Sequence, residues 1–225
     1  MRLLAMLNDQ IAQGGQAYAG YYDMVRAPLL DLLAGVTVTD VLEIGCGAGA
    51  TLAELRRRHA GCRTTGLELR PDAAARAREV AHEVVEADVL QWSPPDWSGR
   101  FDLIVLSHVL EHFEQPEAVL QRALAWLRPG GHLLVALPNI RHISVTVPLL
   151  LRGEFTYTPS GILDQTHLRF YTRKSAVRML EGQGLRVLKL APEFGGGKSK
   201  ALRWLSLGLA EDLAAYAYNF LLARP

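Results

Sequence analysis

The sequence has only two cysteines, Cys46 and Cys62, in 225 residues. They show neither the paired spacing of a metal-binding ribbon nor the density of a secreted disulfide framework, so both are expected to be free thiols in a reducing, cytoplasmic setting. Long apolar runs are also missing. No stretch approaches the roughly twenty residues that cross a bilayer, and the opening "MRLLAMLNDQIAQGGQ" turns polar from Asn8, before a secretory signal is complete. Charge is balanced: 24 Lys and Arg stand against 23 Asp and Glu, with no block of five like charges. That balance argues against nucleic acid or an anionic membrane as partner. Internal repeats and low-complexity tracts are absent as well. What remains is a chain that is 49% hydrophobic, long enough for one sizeable core and read as a single domain, 1–225, acting on a small molecule.

Short β-branched runs recur as "VTDVLEI" (38–44), "RTTGLEL" (63–69), "EVVEAD" (83–88), "FDLIVLS" (101–107) and "HLLVALP" (132–138). Between them lie helix-forming segments: "ATLAELRRRHAG", "PDAAARAREVAH" opened by Pro71, and "PEAVLQRALAWLRPGG" opened by Pro116 and closed by a Pro-Gly-Gly turn. Strand and helix in alternation predict a parallel, doubly wound α/β sheet. The rhythm breaks over 139–170, which is expected to be a structureless insertion or lid forming a substrate site. It resumes with Thr172 as N-cap of a helix, a strand at "LRVLKLAPEF", an amphipathic helix at "KALRWLSLGLAEDLA" and a last strand at "YAYNFLLARP", seven strands in all. "YYDMVRAPLLDLLAG" reads as a helix leading into the first strand.

"VLEIGCGAGA" sets Gly45, Gly47 and Gly49 between a buried strand and a helix, where glycine lets a ligand approach main-chain N–H groups. The loop also fits the loose dinucleotide fingerprint, with Glu68 placed for a ribose hydroxyl, so an NAD(P)-dependent oxidoreductase satisfies it. Glu43 shifts the balance, because a carboxylate suits a cofactor bearing an ammonium and opposes a pyrophosphate. Asp88 stands where a carboxylate accepts from an adenine amine.

Through "VLEIGCGAG", "LELRPD", "EADV", "FDLIVLSHVLEHF" and "LRPGGHLLVALPN", the chain resembles the class I S-adenosylmethionine-dependent methyltransferases. "PNIRHISVTVPLLLRGEF" and "GILDQTHLRFYTRKSAVRMLEGQG" resemble the small bacterial group related to the methionine-biosynthesis protein W, often associated with glycan or secondary-metabolite pathways. The resemblance implies a Rossmann-like sheet of order 3-2-1-4-5-7-6 with the last strand antiparallel, and S-adenosyl-L-methionine as cofactor. It implies cofactor contacts from Glu43, Gly45, Cys46, Gly47, Gly49, Glu68, Leu69, Asp88, Val89, Ser107 and His108. O-methylation of a small-molecule hydroxyl, on a sugar or secondary metabolite, is the expected reaction. N-methylation, a non-catalytic cofactor-binding partner protein and the oxidoreductase stay open, as do the acceptor and the oligomeric state.

"SHVLEH" spells H-x-x-E-H, a zinc-hydrolase signature. In those enzymes it lies inside a long helix, whereas here it begins where a strand ends, so no metal is expected. Some RNA-modifying methyltransferases carry a metal cluster at this place, to which His142 would add a ligand, but His108 replaces that motif's acid. Ser107 and His108 are instead expected beside the cofactor, with Glu111 and His112 bonding the following helix start.

The sulfonium carbon is already electrophilic, so positioning supplies much of the catalysis, about 7–11 kcal/mol. A base for a hydroxyl acceptor adds about 10²–10⁴ in rate, and His142, Asp164 and His167 are the candidates. For Asp164 the competing role is to brace a turn, paired with Arg169. Phe155, Tyr157, Phe170 and Tyr171 are expected to keep water from the acceptor site. Trp92 and Trp97 either stack on adenine or pack on the core, and Tyr18, Tyr21, Tyr22 and Arg26 either close over the cofactor or pack the first helix.

Overall fold

The computed structural model describes residues 25–195 and 210–224. Tyr18, Tyr21 and Tyr22 lie outside them, as does most of the helix expected over 200–214, of which Glu211–Ala214 is described.

In chain order the elements are α1 (Ala27–Leu30, continued by a 3₁₀ turn, Asp31–Leu33), β1 (Asp40–Ile44), α2 (Ala50–Arg58), β2 (Arg63–Glu68), α3 (Pro71–Ala77), β3 (Glu83–Glu86) and β4 (Phe101–Ser107). There follow α4 (Pro116–Trp126), β5 (Leu127–Pro138), α5 (Ile143–Arg152), α6 (Arg173–Glu181), β6 (Arg186–Glu193), α7 (Glu211–Ala214) and β7 (Ala217–Ala223). The strands form one sheet in the order β3-β2-β1-β4-β5-β7-β6. β7 runs antiparallel to both neighbours and the other pairings are parallel. The doubly wound expectation holds in order and in direction.

Alternation along the central strands explains the layers. In β4, Phe101, Ile104 and Leu106 pack on one face with Trp97, Val119, Leu120 and Trp126, while Leu103 and Val105 pack on the other with Leu29, Leu30, Leu52 and Leu55. In β5 the same split separates Leu133, Val135 and Leu137 from Leu134 and Ala136. Period-two side chains that are apolar on both faces require cover on both, which helices supply. Trp97 meets Phe101, Trp126 and Trp92 edge to face, so it belongs to this packing.

Several elements differ from expectation. The Pro-Gly-Gly segment is a break in register within β5: Phe101 pairs with Leu127 and Leu103 with His132, and the residues between bulge out. α3 stops at Ala77. The insertion is not structureless, because α5 occupies ten of its residues. Its leucines face outward, Leu150 at 80% and Leu151 at 78% exposure, and Pro148 lies inside it, so no inward apolar period marks it. Thr172 caps α6 as expected, in a reciprocal box with Ser175.

Candidate active site

β1 and β4 are central and parallel, so their carboxyl ends open on one edge of the sheet, where such folds bind ligands. The loop after β1 turns on glycines in the left-handed region, Gly45 at φ 70°, Gly47 at 54° and Gly49 at 83°. A Cβ on Gly45 would meet Val109 Cγ2 at 2.8 Å, and one on Gly49 would meet Val80 Cγ2 at 2.6 Å. Packing therefore demands these glycines even before any ligand does. Cys46 is buried, and burial pushes its thiol pKa well up. It acts as a small packing residue and not as a thiolate.

Glu68 closes the loop: Gly47 N–H donates to its Oε2 (2.8 Å) and Arg70 N–H to its Oε1 (3.0 Å). Each carboxylate oxygen keeps a further lone pair for a ribose hydroxyl. Burial raises its pKa, with the Arg70 and Gly47 N–H groups opposing. Glu43 is buried in the same place, and its Oε2 has no hydrogen-bond partner among the described residues. Burial pushes its pKa up to about 8 against a hydrogen bond from Thr51, and the charge of Glu68 adds to the rise. An orphaned, buried carboxyl oxygen beside a glycine loop fits an ammonium ligand and opposes a pyrophosphate. Arg26 lies near enough to act on Glu43 electrostatically.

Leu69 follows β2 and Asp88 follows β3, where the Asp88 carboxylate accepts from Leu90 N–H (2.9 Å) and bends the chain around the buried Val89. Ser107 ends β4 with a buried hydroxyl that has no partner among the described residues. His108 follows at φ 55°, the positive-φ residue other than glycine among those described. Its N–H donates to Ala136 O (3.1 Å), which helps hold the backbone in this left-handed conformation. Instead of a helix, a 3₁₀ turn (Leu110–His112) comes next, with α4 starting at Pro116.

The insertion returns onto that turn. Leu168 N–H (2.8 Å) and Arg169 N–H (3.1 Å) both donate to Glu111 O. This brings His167 beside Glu111 and His112, its ring centroid 4.8 Å from that of His112. Glu111, His112 and His167 offer ligand atoms that all lie within 4.8 Å of one another. His142, a candidate base and the extra ligand of the disfavoured metal reading, is the N-cap of α5: its Nδ1 accepts from Ser144 N–H (3.2 Å), and its ring packs on Tyr216. Asp164 braces a turn, accepting from Thr166 N–H (2.8 Å) and hydroxyl (2.7 Å). Arg169 does not pair with it, but donates to Glu114 O at 3.0 and 2.5 Å. Phe155 meets Tyr157 and Phe170 edge to face, Phe170 lies beside His167, and Tyr171 is buried in the core. Local spacing gave no hint that His167 joins His112, which it follows by a long excursion of chain.

A family model described as a methyltransferase domain matches residues 18–190. The chain belongs to this methyltransferase family. The trans-aconitate 2-methyltransferase of Rhodopseudomonas palustris (strain BisB18) is 32% identical to it over 129 residues, 55% of this chain and 49% of that one. This methyltransferase-family chain thus spans about half the length of that relative. The ubiquinone biosynthesis O-methyltransferase of Cupriavidus pinatubonensis is 26% identical over 174 residues, 74% of this chain and 68% of that one. A SAM-dependent methyltransferase from Archaeoglobus fulgidus shares the fold, with a TM-score of 0.66 at 19% identity, covering 88% of this chain and 91% of its own. The N-methyltransferase NodS from Bradyrhizobium japonicum, solved with S-adenosyl-L-homocysteine, shares it at 0.59 and 22%, covering 88% and 85%.

Proposed function

We propose that this protein transfers the methyl group of S-adenosyl-L-methionine to an oxygen of a small-molecule acceptor, a hydroxyl on a sugar or secondary metabolite. The observation that carries the cofactor is the buried, unpartnered Glu43 Oε2 beside the glycine loop that Glu68 closes. An ammonium satisfies that oxygen, and the donor of this family carries one on its amino acid portion. Oxygen as the acceptor atom is supported by the relative named as a ubiquinone biosynthesis O-methyltransferase.

Residues 139–170 supply the acceptor site in this reading, over the ends of β4 and β5. The aromatic group of Phe155, Tyr157 and Phe170 keeps water from a sulfonium whose charge disappears in the transfer. The Nδ1 lone pair of His142 accepts the Ser144 N–H, and Asp164 is bound to Thr166, so holding donor and acceptor in line outweighs base catalysis by either group.

Calorimetry with S-adenosyl-L-homocysteine and with NADH tests the cofactor half. Binding of NADH alone refutes it and installs the oxidoreductase. Incubation with methyl-labelled cofactor and a panel of sugars, phenols and carboxylic acids tests the acceptor half. Label on an amine but on none of these replaces oxygen by nitrogen, and cofactor binding without any transfer favours a non-catalytic partner protein.

A further inference from the structure

At the carboxyl end of β4, Glu111 is fully buried, and neither carboxylate oxygen accepts a hydrogen bond among the described residues. What surrounds it is imidazole: His108 Nδ1 lies 3.3 Å and His167 Nε2 3.9 Å from Oε1, and His112 completes the group. A buried carboxylate with no donor is costly unless a cation meets it.

The hydrogen bonds around the cluster decide which ring nitrogens face inward. His167 Nδ1 lies 2.9 Å from Ile162 O, a group that only accepts, so Nδ1 donates there and Nε2 is the ring nitrogen turned toward Glu111. Thr166 has one hydroxyl proton and donates it to Asp164 Oδ1 (2.7 Å), so its oxygen accepts from His112 Nδ1–H (2.9 Å). His112 Nε2 is then the ring nitrogen left to take a ligand. Two imidazole nitrogens and a buried carboxylate converging in this way form a ligand set that a cation satisfies. Backbone or carboxylate partners on the far nitrogen are how proteins orient metal-binding histidines.

We infer that Glu111, His112 and His167 form a binding site for a divalent first-row transition metal, with His108 at its edge. Two neutral imidazoles and one carboxylate suit zinc, cobalt, nickel or ferrous iron better than magnesium, which prefers oxygen. Ligand atoms held at about 2.0–2.2 Å from one ion stand about 3–3.5 Å apart. The present spread, within 4.8 Å, closes by side-chain shifts on the order of an ångström. Three protein ligands leave a coordination position for water or another oxygen. The sequence expectation of no metal weighed H-x-x-E-H with His142 as the added ligand, and lacked His167.

The test is titration of chelator-stripped full-length protein with Co²⁺, followed by calorimetry and by the visible ligand-field absorption of the ion. No cofactor or acceptor is needed, so the result is independent of the methyl-transfer reading. One equivalent should bind, and the melting temperature should rise with Co²⁺. Glu111→Gln and His167→Gln should weaken binding about 100-fold or more, and Thr166→Val, which keeps all three ligands, about 10- to 100-fold. His59→Gln, outside the cluster, should leave it unchanged. Circular dichroism and S-adenosyl-L-homocysteine binding confirm that each variant is folded; if the ligand variants are not, Thr166→Val decides. Absence of saturable uptake, or uptake unchanged in the folded variants, overturns the site.

Discussion

In the proposed reading, protonation of Glu43 couples folding to cofactor binding. Its carboxyl titrates at about 8 in the folded protein, raised by burial, against an ordinary value of 4.5. Between those values the folded state holds a proton that the unfolded chain has released. The stabilisation from that proton is therefore full below about pH 4.5, declines by up to about 1.4 kcal/mol per pH unit as pH rises, and is gone above about pH 8. Glu43→Gln removes this slope, so the variant should gain stability over the parent as pH climbs from 5 to 8, read by urea melts at each pH. In the same window an ammonium arriving at Glu43 favours its ionised form, so S-adenosyl-L-homocysteine binding should release a proton. Calorimetry near pH 6.5 in buffers of different ionisation enthalpy measures it, and identical heats in all buffers would place the ammonium elsewhere. Because a charged hydrogen bond contributes about 1.5–3 kcal/mol, Glu43→Gln should also weaken that ligand about 10- to 100-fold.

Among the elements, the turn from β1 into α2 carries the sharpest contrast. Gly49 and Gly61 have nearly the same backbone, φ 83° and 81°, but a Cβ on Gly61 meets nothing within 4 Å while one on Gly49 strikes Val80 and Ala77. Gly61→Ala should cost about 1–2 kcal/mol from left-handed strain alone. Gly49→Ala should cost clearly more and impair cofactor binding, because α3 has to move or the loop has to open. Equal losses in denaturant melts would mean that the Val80 contact relaxes freely. At α6, Thr172→Ala should cost about 1 kcal/mol through loss of the reciprocal cap. These elements were readable in the sequence because their signals are local: glycine spacing after a β-branched run, Pro71 and Pro116 at first turns, threonine before a helix. "FDLIVLS" matched β4 residue for residue, since a strand buried on both faces is mostly apolar, here Leu103–Leu106 without a break. α5 escaped because Leu150 and Leu151 face away from the core, which erases the period that marks a helix. Glu43, Glu68 and Asp88, the acids proposed for the cofactor, stand out in the sequence by their places at or near strand ends. The partnership of His167 with Glu111 was not, because tertiary folding alone brings the insertion back onto the β4 turn.

For the molecule as a whole, protection should follow position in the sheet. β1, β4 and β7 are buried along nearly their whole lengths and β5 from Leu133 on, whereas β3 is a four-residue edge strand that is only partly covered. Amide hydrogen exchange should be slowest in the first group and fastest in β3, and uniform protection across the sheet would contradict this gradient. No helix among the described residues is long and apolar enough to cross a membrane.

The place of β7 also sets a schedule. β5 finds its second partner in β7, and β6 pairs with β7 alone, yet the chain runs from Pro138 to Ala217 before that partner begins. At translation speeds of about 5–20 residues per second, roughly 80 residues take roughly 4–16 s. Throughout that interval the emerging β5 carries one bare edge, a row of unmatched N–H and C=O groups flanked by Leu133, Leu134 and Val135. The half-made sheet is then a template for any extended peptide nearby. On the ribosome, chains arrested before Ala217 are the ones a holdase should capture, and release should coincide with the emergence of "AYNFLLA".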